Sequence, residues 1–203
     1  MVKDMKSIRK DEHKTSNWSG GTTTQLYIYP ENACYDKRDF LFRISSAKVE
    51  VEESVFTHLP GINREIMIID GELQLEHEGY YDINLSRFDK DRFSGDWTTK
   101  SYGKVTDFNL MMNEGCDGNL EYIEVKKGSI ANIELYKNEI YNNMASILYC
   151  VLGKVSIYLE ESIDLCDGDL LVVITKDPIN TDNISVQNKI GKDANLIISR
   201  VYF

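Results

Sequence analysis

The chain has 203 residues, of which 42% are hydrophobic and 28% charged, enough for a buried core and too apolar for wholesale disorder. Its net charge of −10 argues against the clustered basic surface that nucleic acid or an anionic membrane face requires. No apolar run approaches the roughly 20 residues that span a bilayer, and Met1 to Ser16 is charged throughout with no secretory apolar segment, so a cytoplasmic protein is expected.

Period-two alternation dominates the chain. It predicts strands over Thr24 to Tyr29, Phe40 to Ala47, Arg64 to Ile69, Leu73 to Glu78 and Tyr81 to Leu85. Further strands are predicted over Asp107 to Met112, Leu120 to Val125, Ile130 to Leu135, Ile147 to Leu152, Val155 to Leu159, Leu170 to Thr175 and Leu196 to Tyr202. β-Branched and aromatic residues fill these runs, which suits pleated, half-buried surfaces. Helical signal is confined to a turn or two near the N-terminus and around Asn138 to Met144. Asp70-Gly71 and Leu152-Gly153-Lys154 sit between strands and read as tight hairpins.

These turns open a weak internal repeat. Gly71 is followed by Leu73-x-Leu75, Gly95-Asp96 and Asn109-Leu110-Met111-Met112. Gly153 is followed by Val155-x-Ile157, Gly168-Asp169 and Asn195-Leu196-Ile197-Ile198. The shared order predicts a duplicated β unit, and the pattern is similar to that of cupin barrels. The expected fold is all-β: a bicupin, with two cupin-like β-barrels at residues 1–115 and 116–203 packed in one compact chain.

Metal-binding barrels of this type need clustered histidines and a carboxylate. Only His13, His58 and His77 are present, no two within three residues, and the second half has none. No metal and no cofactor is therefore expected. His77, on an alternating strand, is expected at the surface, and His58 in a loop before Leu59-Pro60-Gly61. Cys34, Cys116, Cys150 and Cys166 form no CxxC pair and are expected as thiols. There is no G-x-S-x-G elbow, and no Gly-Lys-Ser/Thr follows Gly20-Gly21.

Polar residues inside apolar strands are more informative. Alternation puts Phe40, Phe42 and Ile44 on one face and Leu41, Arg43, Ser45 and Ala47 on the other. Arg64 begins an apolar strand, and Asp107, Asn109 and Met111 share a face. An arginine inside a barrel must be paired or bind an anion, because an unpaired buried charge is costly. Pairing of Arg43 or Arg64 with Asp107 or another acid, and recognition of a ligand carboxylate by the planar guanidinium fork, are both open.

Several segments resemble the HutD/Ves family of bacterial proteins. They are Trp18-Ser19-Gly20-Gly21-Thr22-Thr23-Thr24-Gln25, Phe40-x-Phe42-Arg43-Ile44-Ser45-x-Ala47, Val55-Phe56-Thr57-x-Leu59-Pro60-Gly61-x-x-Arg64, Phe93-Ser94-Gly95-Asp96 and Asp107-Phe108-Asn109-Leu110-Met111. They occur in the family's order over residues 18 to 112; beyond residue 115 only the general barrel pattern remains. Ser19 stands where the family usually has asparagine, and Phe42 where it usually has tryptophan. The resemblance implies a compact bicupin, with some members associated with histidine utilisation, in a regulatory or sensing role toward ligands such as N-formylglutamate, and others with stress responses.

Together these readings predict a non-catalytic, metal-free protein that binds a small carboxylate, such as an amino-acid catabolite, in its N-terminal barrel. Arg43 and Arg64 would neutralise the carboxylate, Thr23, Ser45 and Asn109 would hydrogen-bond it, and Trp18 and Phe56 would wall the site. The alternative is a metal-free isomerase or lyase acting on a small carboxylic acid, with Asp107 or His58 as general base. Sheet edges of such barrels also offer a route to a homodimer.

Overall fold

The computed structural model describes residues 2–134, 138, 140–159, 161–176, 183–189 and 191–203. In chain order the strands are β1 (Val2–Ile8), β2 (Lys14–Trp18), β3 (Gly21–Tyr29), β4 (Phe42–Val49), β5 (Glu53–Val55), β6 (Asn63–Asp70), β7 (Leu73–His77), β8 (Tyr81–Leu85), β9 (Lys90–Ser94), β10 (Thr99–Tyr102) and β11 (Thr106–Met112). There follow β12 (Asp117–Val125), β13 (Ile130–Ile133), β14 (Asn143–Leu152), β15 (Lys154–Tyr158), β16 (Ser162–Cys166), β17 (Leu170–Lys176), β18 (Ile184–Gln187) and β19 (Ala194–Tyr202). Single 3-10 turns cover Lys10–Glu12 and Tyr35–Lys37. Among the described residues no helix is long and apolar enough to cross a membrane.

The strands form two units. His13–Cys116 holds a six-stranded sheet, β2-β3-β4-β11-β6-β9, and a four-stranded sheet, β5-β10-β7-β8. Met1–Glu12 with Asp117–Phe203 holds a five-stranded sheet, β1-β17-β14-β19-β12, and a four-stranded sheet, β13-β18-β15-β16. Each unit is thus a pair of antiparallel sheets and not a single closed barrel. In the first, Ile66, Ile68, Leu73, Leu75, Leu85 and Phe93 join the two sheets; in the second, Leu148, Cys150, Val155, Ile157, Leu196 and Ile198 do so.

The repeat is a strand-for-strand duplication. Replacing β4 to β11 by β12 to β19 turns the order β4-β11-β6-β9 into β12-β19-β14-β17, and β5-β10-β7-β8 into β13-β18-β15-β16. Gly71 and Gly153 are equivalent, as the sequence suggests, but neither closes a hairpin. β6 and β14 lie in one sheet of their unit and β7 and β15 in the other, so each glycine is a corner where the chain changes sheets. Both have positive φ, 86° and 97°, and a Cβ at Gly71 would lie 2.5 Å from the Lys104 carbonyl oxygen. The hairpins are instead β7–β8 and β15–β16.

The Gly168-Asp169 turn also has a different counterpart from Gly95-Asp96. Gly168 N–H donates to the Cys150 carbonyl and Asp169 accepts from Cys166 N–H; Phe88 N–H donates likewise to Ile68, and Asp89 accepts from Ser86 N–H. Phe88 takes the glycine's left-handed conformation at φ 69°, so the repeat is hidden there by a residue change.

The two units divide between Cys116 and Asp117, and residues 1–12 group with the second unit. Near the N-terminus the helical turn is the single 3-10 turn Lys10–Glu12, and it is preceded by an unexpected strand, β1, which pairs with the outer edge of β17. Its sequence, Val2-Lys3-Asp4-Met5-Lys6-Ser7-Ile8, lacks alternation because an edge strand is held by backbone bonds more than by a buried face. Asn143 and Met144 open β14 and are not helical, while Glu139 in that stretch and Leu135 of the expected strand 130–135 lie outside the described residues. His77 is buried, 1% exposed, with Nδ1 bonded to Thr99 Oγ1 at 2.8 Å and Nε2 to Asp91 Oδ2 at 2.9 Å. Tyr81 and Phe93 pack on its ring, each at 4.7 Å. Strand alternation alone did not show that its polar edge would find two partners inside.

Asp169 fastens the N-terminal segment to the second unit. Arg9 Nη1 donates to Oδ2 at 2.8 Å, Lys10 N–H to Oδ1 at 3.0 Å and Cys166 N–H to Oδ2 at 3.0 Å. Burial pushes this carboxyl up, yet those donors prevail and hold it below the ordinary carboxylate value. Its contribution is therefore full above about pH 4 and lost as the pH falls through the folded value. Asp169→Ala is expected to cost about 2 kcal/mol at pH 7, to speed amide exchange in Met5–Ile8, and to cost less in acid; unchanged exchange in β1 would refute the clamp.

Candidate functional site

Register places a polar stripe on one face of the six-stranded sheet. Ala47, Ser45 and Arg43 of β4 stand opposite Asp107, Asn109 and Met111 of β11. On the other side of β11, Asn109 faces Ile66 and Met111 faces Arg64. Cross-strand partners point the same way, so Arg43, Ser45, Asp107, Asn109, Met111 and Arg64 share a face. The intervening Phe42, Ile44, Phe108, Leu110 and Met112 are fully buried. That face lines a cavity of about 310 Å³.

Trp18, Thr23, Arg43, Ser45, Phe56, Arg64 and Asn109 all line it, as does Asp107. His58 does not: it is exposed, with its backbone carbonyl accepting from Arg38 at 3.4 Å, which removes it as an acid or base here. Sequence reading missed Tyr35, Ser16 and Ser54, which also line the cavity. Tyr35 lies in a 3-10 turn with no periodic signature, and β5, which carries Ser54, has only three residues.

The opening motif's glycines are steric. A Cβ on Gly20 would come within 2.1 Å of the Trp18 ring, and one on Gly21 within 1.9 Å of the Lys48 carbonyl oxygen on β4. Gly20 lets the Trp18 indole fold back toward the cavity, and Gly21 lets β3 start close against β4.

Both arginines are buried and neither makes an ion pair among the described residues. Arg43 is 6% exposed; its Nε donates to Gln25 Oε1 at 3.0 Å and Nη1 to Ser45 Oγ at 3.1 Å, and its guanidinium lies 4.3 Å from the Tyr35 ring centroid. Arg64 is 5% exposed and lies 4.6 Å from the Phe56 ring centroid and 5.2 Å from that of Phe93. Its Nε has no hydrogen-bond partner among the described residues. Aromatic faces partly compensate a desolvated cation, by up to about 2 kcal/mol each, but do not saturate its donors. Burial lowers Arg43 and brings Arg64 down to about 10, with Asp107 pulling Arg64 the other way.

Asp107 and Asn109 supply the acceptors. Asp107 Oδ1 and Asn109 Oδ1 are buried without hydrogen-bond partners among the described residues. Burial raises Asp107 to about 7, against the opposing pull of Arg64 and the Ala47 backbone.

The duplicate shows what a closed version looks like. Asn109 faces Ile66 and Ser45, whereas Ile198 faces Leu148 and Glu121 at the matching place in β19. By the same register Asp107 corresponds to Leu196 and Met111 to Arg200. Leu148, Cys150, Leu196 and Ile198 are fully buried and fill the second unit's core. Arg200, 3% exposed, donates from Nη1 to Glu121 Oε2 at 2.5 Å. That buried arginine has a carboxylate in ion-pair contact; among the described residues Arg43 and Arg64 have none.

The cavity's donor set, two guanidiniums with one carboxylate and one amide, does not fit a metal ion, whose sites in related barrels use imidazole and carboxylate. Among the described residues no group of three or more His, Cys, Asp or Glu is placed to hold one.

Two stability measurements follow. Arg64→Met is expected to leave the melting temperature unchanged or raised, since it removes an uncompensated buried charge, whereas Arg200→Met is expected to cost about 1–3 kcal/mol; equal losses would show Arg64 to be satisfied. Asp107, raised in the folded state, contributes stability that is full below about pH 4 and lost as the pH rises to about 7. Asp107→Asn should therefore melt above wild type at pH 8 and lose that advantage toward pH 4, and a gap independent of pH would contradict it.

Comparison with known proteins agrees with this architecture. A conserved protein of unknown function from Pseudomonas aeruginosa PAO1 superposes with a TM-score of 0.80 at 17% identity, over 99% of this chain and 100% of that one. HutD from Pseudomonas fluorescens SBW25 gives 0.69 at 20%, over 97% and 98%. The Escherichia coli pirin YhhW, solved with nickel(II), gives 0.68 at 10%, over 97% and 98%. These likenesses establish the fold, a bicupin. No curated protein sequence matches the chain. The HutD family model matches residues 10–190, well beyond the stretch of 18 to 112 that the motifs mark, and the chain belongs to the HutD family.

Proposed function

We propose that the chain is a metal-free binding protein for a small carboxylic acid, of the amino-acid catabolite class, with its site in the cavity of the His13–Cys116 unit. The observation that carries this reading is the pair of buried guanidiniums on one face with no acid in ion-pair contact. Such groups are costly unless an anion completes them, and the duplicate's Arg200 has that completion built in. Arg43 and Arg64 flank Met111 on adjacent strands, roughly 10 Å apart across the sheet, a spacing suited to grip a ligand from both sides. Asn109 Oδ1 would accept from an N–H or O–H on the ligand, Thr23 and Ser45 offer hydroxyls, and Trp18 and Phe56 cover the apolar part. Family membership supports a sensing role in histidine utilisation or a stress response.

Thermal-shift measurements with glutamate, N-formylglutamate and urocanate test this. An acid present at 100 times its Kd should add about 2.7 kcal/mol, or roughly 5 °C or more in melting temperature. Arg64→Ala and Arg43→Ala should abolish the shift; no shift with any acid, or an equal one in Arg64→Ala, would overturn the reading.

A second reading is favoured by Asp107, a buried carboxyl beside Arg64 poised near neutral pH. It could act as general base in an isomerase or lyase, with arginine stabilising the developing anion. Turnover of one of the same acids, lost in Asp107→Asn, would establish it.

A further inference from the structure

We infer that the cavity takes its carboxylate together with one proton, which Asp107 holds in the bound state. This rests on the carboxylate-binding reading and adds to it a pH control. Asp107 shares the cavity with the arginines that would grip the ligand. It stands on the same face of β11 as Asn109 and Met111, and its Oδ1 has no hydrogen-bond partner among the described residues.

The charged and titratable groups around it are few. β4 contributes Arg43, β6 contributes Arg64, and the 3-10 turn contributes Tyr35; β2, β3 and β5 bring only neutral side chains to the cavity. In the free protein an ionised Asp107 partly neutralises Arg64. A ligand carboxylate arriving at Arg64 meets that negative charge in a poorly solvated space, where two like charges repel strongly. Protonation removes the repulsion and reverses the role of the group. The carboxylate of Asp107 takes H⁺ from solvent, becomes a carboxylic acid, and its O–H can donate to the ligand anion. One anion and one proton enter together, so the net charge of the site does not change on binding.

The direction with pH follows. Burial already brings the free carboxyl to about 7. Below that value the proton is present beforehand and affinity is flat. Above it each bound anion must draw in a proton, and affinity falls about tenfold per pH unit. Apo Asp107 thereby sets a working range on the acid side of neutrality, distinct from any titration of the arginines.

Calorimetric titration of glutamate, N-formylglutamate and urocanate at pH 6.0 and 8.5, each in two buffers of different ionisation enthalpy, tests it. Proton uptake should rise from near zero at pH 6.0 to near one at 8.5, and Kd should rise about 30-fold. Asp107→Asn, which mimics the protonated acid, should bind at pH 8.5 as tightly as at 6.0 with no linked proton. Binding by the wild type without uptake at pH 8.5 would overturn the inference and leave carboxylate binding intact. The same holds if Asp107→Asn retains the pH dependence. Failure of all three acids to bind at either pH would overturn both.

Discussion

Two guanidiniums buried without an ion-pair partner among the described residues are the constraint on which the rest of the N-terminal site depends. A cation in a poorly solvated interior must be met by carboxylates, by aromatic faces, by neutral acceptors, or by something that arrives from outside. Here the first is missing and the second and third are only partial. Tyr35, Phe56 and Phe93 lie against the two groups, Gln25 and Ser45 accept from Arg43, and Arg64 Nε has no protein acceptor among the described residues. The neighbouring carboxyl, Asp107, is itself held near neutrality by burial. The proposed carboxylate ligand would complete this face, at some cost in stability of the empty fold.

Duplication gives this interpretation an internal control. The same strand order, with the same sheet-changing glycines, encloses aliphatic side chains in the second unit. Where β11 presents Asp107 and Asn109, β19 presents Leu196 and Ile198. Where an arginine persists, as Arg200, a glutamate comes with it. One copy of the fold has kept a polar interior and the other has become core. Both copies use the same backbone, so the difference lies in side chains at a few inward positions.

Much of the site was legible in the sequence because a strand's period is fixed at two residues. Once Phe42 and Ile44 go to the core, Arg43 and Ser45 must face the other way, and the same holds for Asn109 between Phe108 and Leu110. Seven ligand-site candidates came from that alternation and the family motifs, and all line one cavity. The residues that escaped have no period to betray them. Tyr35 sits in a short 3-10 turn, and in the other direction His58, proposed from its place before Leu59-Pro60-Gly61, is exposed and not among the lining residues.

By itself, the sequence determined the all-β class, the two faces of the strands that carry Arg43 and Asn109, the existence of a duplication and the family. Each rests on local periodicity or on motifs that survive without knowledge of partners. Tertiary structure decided what local pattern does not encode. It turned two expected hairpins into corners between sheets, because whether consecutive strands pair depends on which neighbours compete for their edges. It assigned residues 1–12 to the second unit through β1 and Asp169, a contact over some 160 positions of chain. Above all it showed that neither arginine makes an ion pair among the described residues, although Asp107 lies close enough to Arg64 to pull on its charge, since a charge is paired or left open only by what the folded chain brings within reach.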